Sequence, residues 1–181
     1  GLTDKQRQGI EAVAMAMAGG YINAVSGSLP EGREKIVFDR YHIMKLMNEA
    51  VDRVRREEHK RLTDSGSSIL TGTKFLWLYA QERLPAKHWE HFYILKAAGL
   101  KTARAWAIKE TLRQLWRYKS RAWAEKFWKR WYFWATHSRL ELVKKIANTL
   151  KTHLYGILTY CKHRITNATT EGINSMIETL R

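Results

Sequence analysis

From Ile69 to Arg181 the chain carries apolar residues at helical spacing and no run that competes as a strand, so the larger part of it must be built from helices. Helix breaks are expected at Pro85, at Gly99, around Tyr118 to Ser120, at His137-Ser138 and at Ile165-Thr166-Asn167. Pro85 suits a first helical turn, and Gly99 suits the left-handed position just past a helix end. The N-terminal part reads differently. Ile10 to Ala18 is almost wholly apolar, and after the Ala18-Gly19-Gly20 stop comes a second apolar run, Lys35-Ile36-Val37-Phe38. Together they read as two strands, within 12–17 and 35–38, joined by a short helix around Tyr21 to Ser28. Past Asp39, a helical stripe of Ile43, Leu46, Met47, Ala50 and Val54 leaves Arg53, Arg55, Arg56, Glu57, Glu58 and Lys60 facing mostly outward. That helix is expected to end near Leu62, before a polar loop from Thr63 to Ser68 that is the best candidate hinge. The fold class that follows is α+β, mainly α, with a β-α-β unit ahead of a large helical part.

A length of 181 residues allows one ordinary domain or a compact domain with a large insertion. Eight tryptophans and 45% hydrophobic residues are incompatible with a disordered chain. The 32 Lys and Arg against 17 Asp and Glu leave a net charge of +15, which favours a polyanionic partner, nucleic acid first. Cys161 is alone, which excludes an internal disulfide and a Cys-rich zinc ribbon and fits a reducing compartment. No apolar run approaches a membrane span, and the opening Gly1-Leu2-Thr3-Asp4 lacks the features of a signal peptide. A first residue other than Met is what a segment of a longer protein would have.

Several features could carry chemistry. Trp116, Trp123, Phe127, Trp131 and Trp134 fall on one helical face, and a buried seam is the preferred reading over a platform for stacking bases. The basic residues are spread over several helices. Lys119, Arg121, Lys126, Lys129, Arg130, Arg139, Lys144, Lys145 and Lys151 are the candidates for sequence-independent phosphate contacts. His88-Trp89-Glu90-His91 and Cys161-Lys162-His163 match no zinc spacing and read as helix surface. Gly19-Gly20 lacks the partners of a phosphate loop and reads as a plain turn. Two places remain. Asp39-Arg40-Tyr41-His42 follows directly on a strand, where α/β sheets place functional side chains. Glu171 falls in the first turn of a helix that Thr169 or Thr170 could cap. Taken alone, each reads as a helix start.

Taken in order, the Ala12-to-Tyr21 segment, the run Ile36-Val37-Phe38-Asp39-Arg40-Tyr41-His42-Ile43-Met44-Lys45-Leu46, a long helical insertion and the stretch Asn167 to Asn174 resemble a bacterial insertion-sequence transposase. The family is the one named after insertion sequence L three. The resemblance implies an RNase H-like DDE recombinase, in which three carboxylates hold two divalent metals, normally magnesium, for cleavage and joining of DNA. It implies three parts: 1–42 as a partial RNase H-like core, 43–166 as a helical insertion domain, and 167–181 as the final core helix. Glu171 matches the last catalytic acid and the metal ligand, and Asp39 with His42 matches the Asp-x-x-His signature before the insertion. The second catalytic Asp would fall at position 16, which holds Ala16. The first would lie on a strand upstream of Gly1, with the family's N-terminal DNA-recognition domain. With one carboxylate of three left, the chain alone is expected to be inactive and to bind no magnesium. Its expected partners are double-stranded DNA of transposon ends, the N-terminal part of the transposase and possible further copies of itself, and its expected place the bacterial cytoplasm, at the nucleoid. Two rivals stand beside this reading: a non-catalytic helical module for DNA binding or assembly, and a helical RNA-binding protein, which would need exposed aromatics.

Overall fold

The computed structural model describes residues 1–166, so the expectations on Thr169, Thr170 and Glu171 lie outside the described residues. The described chain is mainly helical with one two-stranded parallel sheet, as expected. It divides into two compact units. The first holds 1–43, 118–126 and 150–166; the second holds 44–117 and 127–149.

In the first unit, α1 (Asp4–Gly9) was not apparent in the apolar pattern, because nothing on it is buried. Thr3 and Gln6 form its reciprocal cap: the Gln6 N–H donates to Thr3 Oγ1 at 3.3 Å and the Thr3 N–H to Gln6 Oε1 at 2.8 Å. The apolar run condenses to a short strand, β1 (Val13–Met15), and Gly19-Gly20 opens α2 (Gly19–Ser28) instead of making a separate turn. A single 3-10 turn over Gly32–Lys35 leads into β2 (Ile36–Phe38), whose three side chains are wholly buried. The strands pair in parallel with Val13 opposite Ile36, Ala14 opposite Val37 and Met15 opposite Phe38.

What covers β2 is α9 (Leu154–His163). The crossing is close because Gly156 faces the strand: a Cβ there would stand 2.6 Å from the Phe38 ring and 3.2 Å from Ile36 Cγ2. Phe38 is then held edge-on between His153, at 5.3 Å, and Tyr155, at 5.5 Å. Arg164, in the left-handed region at φ 46°, ends α9 and donates through Nη2 to the Tyr118 carbonyl at 3.0 Å.

The second unit takes most of α3 (Arg40–Asp64), then α4 (Lys74–Leu78), α5 (Trp89–Ala97), α6 (Lys101–Leu112), most of α7 (Arg121–Thr136) and most of α8 (Glu141–Thr152). Ile43, Met47, Ala50 and Val54 are buried along α3 as their spacing predicts, while Leu46 is only half-buried. Two charged residues of α3 expected outside are inside. Arg55 is buried against Asp52, with Nε 2.9 Å from Oδ1. Glu58 is buried because it caps another helix: its carboxylate accepts from the Lys101 N–H at 2.9 Å, the Thr102 N–H at 2.8 Å and Thr102 Oγ1 at 2.8 Å. Those are free donors at the start of α6, where the helix dipole also favours an anion.

Gly99, at φ 69°, closes α5 just past its end as expected, whereas Pro85 sits one position before a 3-10 turn. Lys109 on α6 is 1% exposed, and its ammonium donates to the carbonyls of Trp77 at 2.8 Å and of Leu78 and Tyr79 at 3.3 Å each. It closes the C-terminal end of α4, and burial pulls its pKa down to about 8. Arg113 pairs with both Glu82 and Glu110, and the hydrogen bond from its guanidinium holds the Glu82 carboxyl down at about 2.

The expected tryptophan seam is corrected. Trp116 and Trp131 are buried, Phe127 is half-buried, but Trp123 is 61% exposed and Trp134 37% exposed. The buried stripe of α7 is Ala124, Trp128, Trp131 and Ala135, in which two small residues let neighbouring elements close over two large ones. Trp131 is fixed by an Nε1–H bond to the Ile108 carbonyl at 2.9 Å.

Candidate functional site

The parallel register carries its consequence one residue past each strand. Met15 and Phe38 are the last pair, so position 16 and Asp39 come next, side by side at the C-terminal ends of β1 and β2. The Asp39 N–H continues the ladder, donating to the Met15 carbonyl at 2.9 Å. Ala16 is half-buried and outside both strand and helix. C-terminal strand ends are where open α/β sheets hold their reacting groups.

Asp39 is 1% exposed. Its Oδ1 accepts from the Tyr41 N–H at 2.9 Å, which makes it the cap of α3. Thr166 Oγ1 also lies within hydrogen-bond distance of both carboxylate oxygens, at 3.3 and 3.4 Å. The end of the described chain is thereby brought to the strand end, through a residue five positions before Glu171 in the sequence. His42, one turn into α3, is half-buried with its ring edge-on to Tyr41 at 5.5 Å.

The described residues do not by themselves fit a two-metal centre. Position 16 offers a methyl group, Asp39 is engaged as a helix cap, and no group of three or more His, Cys, Asp or Glu side chains stands together among the described residues. The nine basic candidates are all exposed: Lys119, Arg121, Lys126 and Lys151 in the first unit, and Lys129, Arg130, Arg139, Lys144 and Lys145 in the second. Arg121 pairs with Glu125 at 3.0 Å, and Lys126 Nζ lies 4.6 Å over the exposed Trp123 ring. Sequence reasoning missed Glu58 and Lys109 as buried charges although their spacing carried a signal: Glu58 stands four residues after Val54, and Lys109 three after Trp106 and three before Leu112, each on the buried stripe of its helix.

The whole chain, residues 1–181, matches the transposase family model of the DDE type named ISL3. The chain belongs to the ISL3 family of DDE transposases. The transposase for insertion sequence element IS1001 of Bordetella parapertussis is 29% identical over 177 residues, covering 96% of this chain. The chain spans 43% of that relative's length. No solved structure matches it. Among the described residues, no helix is long and apolar enough to cross a membrane.

Proposed function

We propose that this chain is the C-terminal part of a transposase catalytic domain, and that it holds DNA but performs no phosphoryl transfer on its own. The observation that carries the reading is the parallel register, whose last pair, Met15 with Phe38, puts position 16 and Asp39 next at the strand ends, with Thr166 hydrogen-bonded to the same aspartate. In this reading 1–42 belong to an RNase H-like core, 43–166 to a helical insertion, and 167–181 to the last core helix, with Glu171 as the final catalytic acid. Asp39 and His42 shape the strand end and the start of α3. An aspartate at position 16 and another from the preceding part of the protein would complete the acid set, and magnesium would supply Lewis acidity there. The nine exposed Lys and Arg residues neutralise phosphates of duplex DNA, including transposon ends, in the bacterial cytoplasm.

Alanine at position 16 favours a second reading for this molecule, a DNA-binding or assembly module with no chemistry of its own. One experiment separates the two. The substitution Ala16→Asp, made in the protein with its N-terminal part restored, should create magnesium-dependent cleavage of DNA carrying element ends, while Ala16 stays inactive. Equal activity of both forms refutes the role of position 16, and inactivity of both favours the module.

A further inference from the structure

The first unit carries a groove of about 1170 Å³ at the N-terminal ends of β1 and β2, the end of the strand pair opposite to position 16 and Asp39. Five cations from three distant segments line it. Arg33 and Lys35 come from the 3-10 turn before β2, Lys119 and Arg121 from the segment leading into α7, and Lys162 from the last turn of α9. Glu11, Glu31 and Glu34 also line it, but none of them reaches a groove cation closely enough for an ion pair among the described residues. Lys35, Lys119 and Lys162 have no carboxylate partner among the described residues at all, whereas Arg121 is held by Glu125. The Tyr155 ring in the groove is covered by the Arg33 guanidinium at 4.4 Å.

We infer that this groove holds the sugar-phosphate backbone of DNA, away from the strand end where cleavage would occur. Unpartnered lysines converging from separate segments favour a polyanion held by its phosphates, and the Tyr155 ring is already occupied by the Arg33 guanidinium. The contact is therefore independent of sequence and serves affinity, not the reaction. The inference rests on the reading of the chain as a DNA-holding transposase part; it joins Arg33, Lys35 and Lys162 to Lys119 and Arg121 in one groove and sets these two apart from the other seven dispersed cations.

The test is a salt series of duplex binding by the whole chain, followed by anisotropy of a labelled duplex of arbitrary sequence. The double variant Lys119→Ala, Lys162→Ala is compared with Lys74→Ala, Lys87→Ala, which removes the same charge from exposed positions of the second unit. All four side chains are exposed, so both variants should keep the far-UV spectrum and melting temperature of the parent chain. The groove pair should make the slope of log affinity against log salt less negative by about 1.8, and the control pair should leave it unchanged. Between 50 and 200 mM salt the parent chain should then lose roughly tenfold more affinity than the groove variant. If both pairs behave alike, the groove inference is wrong while DNA binding stands. If the parent chain binds no duplex at low salt, the DNA reading itself falls. Polyglutamate that displaces duplex at equal charge concentration, and does so through the groove pair alone, would assign the groove to an acidic protein segment instead.

Discussion

Glu58 and Lys109 are single residues on which whole helix ends depend. Replacing Glu58 by Ala leaves two N–H groups and the Thr102 hydroxyl at the start of α6 without their acceptor, and should cost about 1–3 kcal/mol in urea unfolding. An unchanged midpoint would mean that water replaces the carboxylate at no cost. Lys109 acts at the opposite kind of end, where carbonyls need donors, so Lys109→Met should also destabilise by roughly 1–3 kcal/mol near neutral pH. Its pH dependence has a definite sign. The folded pKa, about 8, lies below the ordinary value of 10.5, so the folded state binds fewer protons than the unfolded one between those values. The Lys109 contribution to stability therefore rises as pH increases from about 8 towards 10.5, and below pH 8 the cost of burying the charge is fully present. Urea unfolding at pH 7.5 and pH 10 should show a rise in the parent chain relative to Lys109→Met; equal changes in both would remove this residue from the account.

At the scale of elements, α7 and α9 show how small residues govern packing. The face of α7 that is buried carries Ala124 and Ala135 beside Trp128 and Trp131, and the exposed Trp123 lies outside it. Trp128→Ala should cost about 3–5 kcal/mol, whereas Trp123→Ala should stay within about 0.5 kcal/mol. Equal costs on thermal or chemical unfolding would restore the seam expected from the large residues alone. On α9, Gly156 is required by contact and not by backbone conformation, since its φ is not in the left-handed region. Gly156→Ala places a methyl group into the Phe38 ring and should destabilise by roughly 1–3 kcal/mol, although alanine is the better helix former. A stabilised Gly156→Ala variant would show that α9 and β2 can separate without loss.

For the whole molecule, the consequence lies in the unequal size of what holds each unit. The sheet of the first unit has two strands of three residues, fewer than a sheet needs to stand by itself, and β1 has no second strand partner among the described residues. The second unit is held by helices with wholly buried side chains such as Trp77, Leu95, Ile108 and Leu112. Hydrogen exchange in dilute solution should therefore be faster over 13–15 than over 106–112 and 127–135. On the proposed reading, joining the chain to a preceding part of the catalytic domain should narrow the difference if a further strand joins β1. Equal protection from the outset would mean that the two-stranded unit is complete as it stands, against the reading of it as part of a larger core.

The helical character of the chain, the breaks at Gly99, at 118–120 and at His137-Ser138, the two strands with α2 between them, and the motif segments that mark an ISL3 transposase were all legible from the residues in order. These depend on contiguous residues: apolar period, turn chemistry and motif spacing act over a few positions and do not need the rest of the molecule. The outward reading of Arg55 and Glu58, and the choice of the large aromatics as the buried face of α7, failed for one shared reason. Burial depends on what packs against a surface, and the partners of Glu58 lie more than forty residues away in the chain. The placing of position 16 next to Asp39, one residue past the last strand pair, is of the same kind, because a register shift of one residue would separate them while leaving both strands intact. The basic groove is the extreme case: Lys35, Lys119 and Lys162 carry no common local signature, and only the packing of α9 on β2 and the path of the chain into α7 bring their charges to one place.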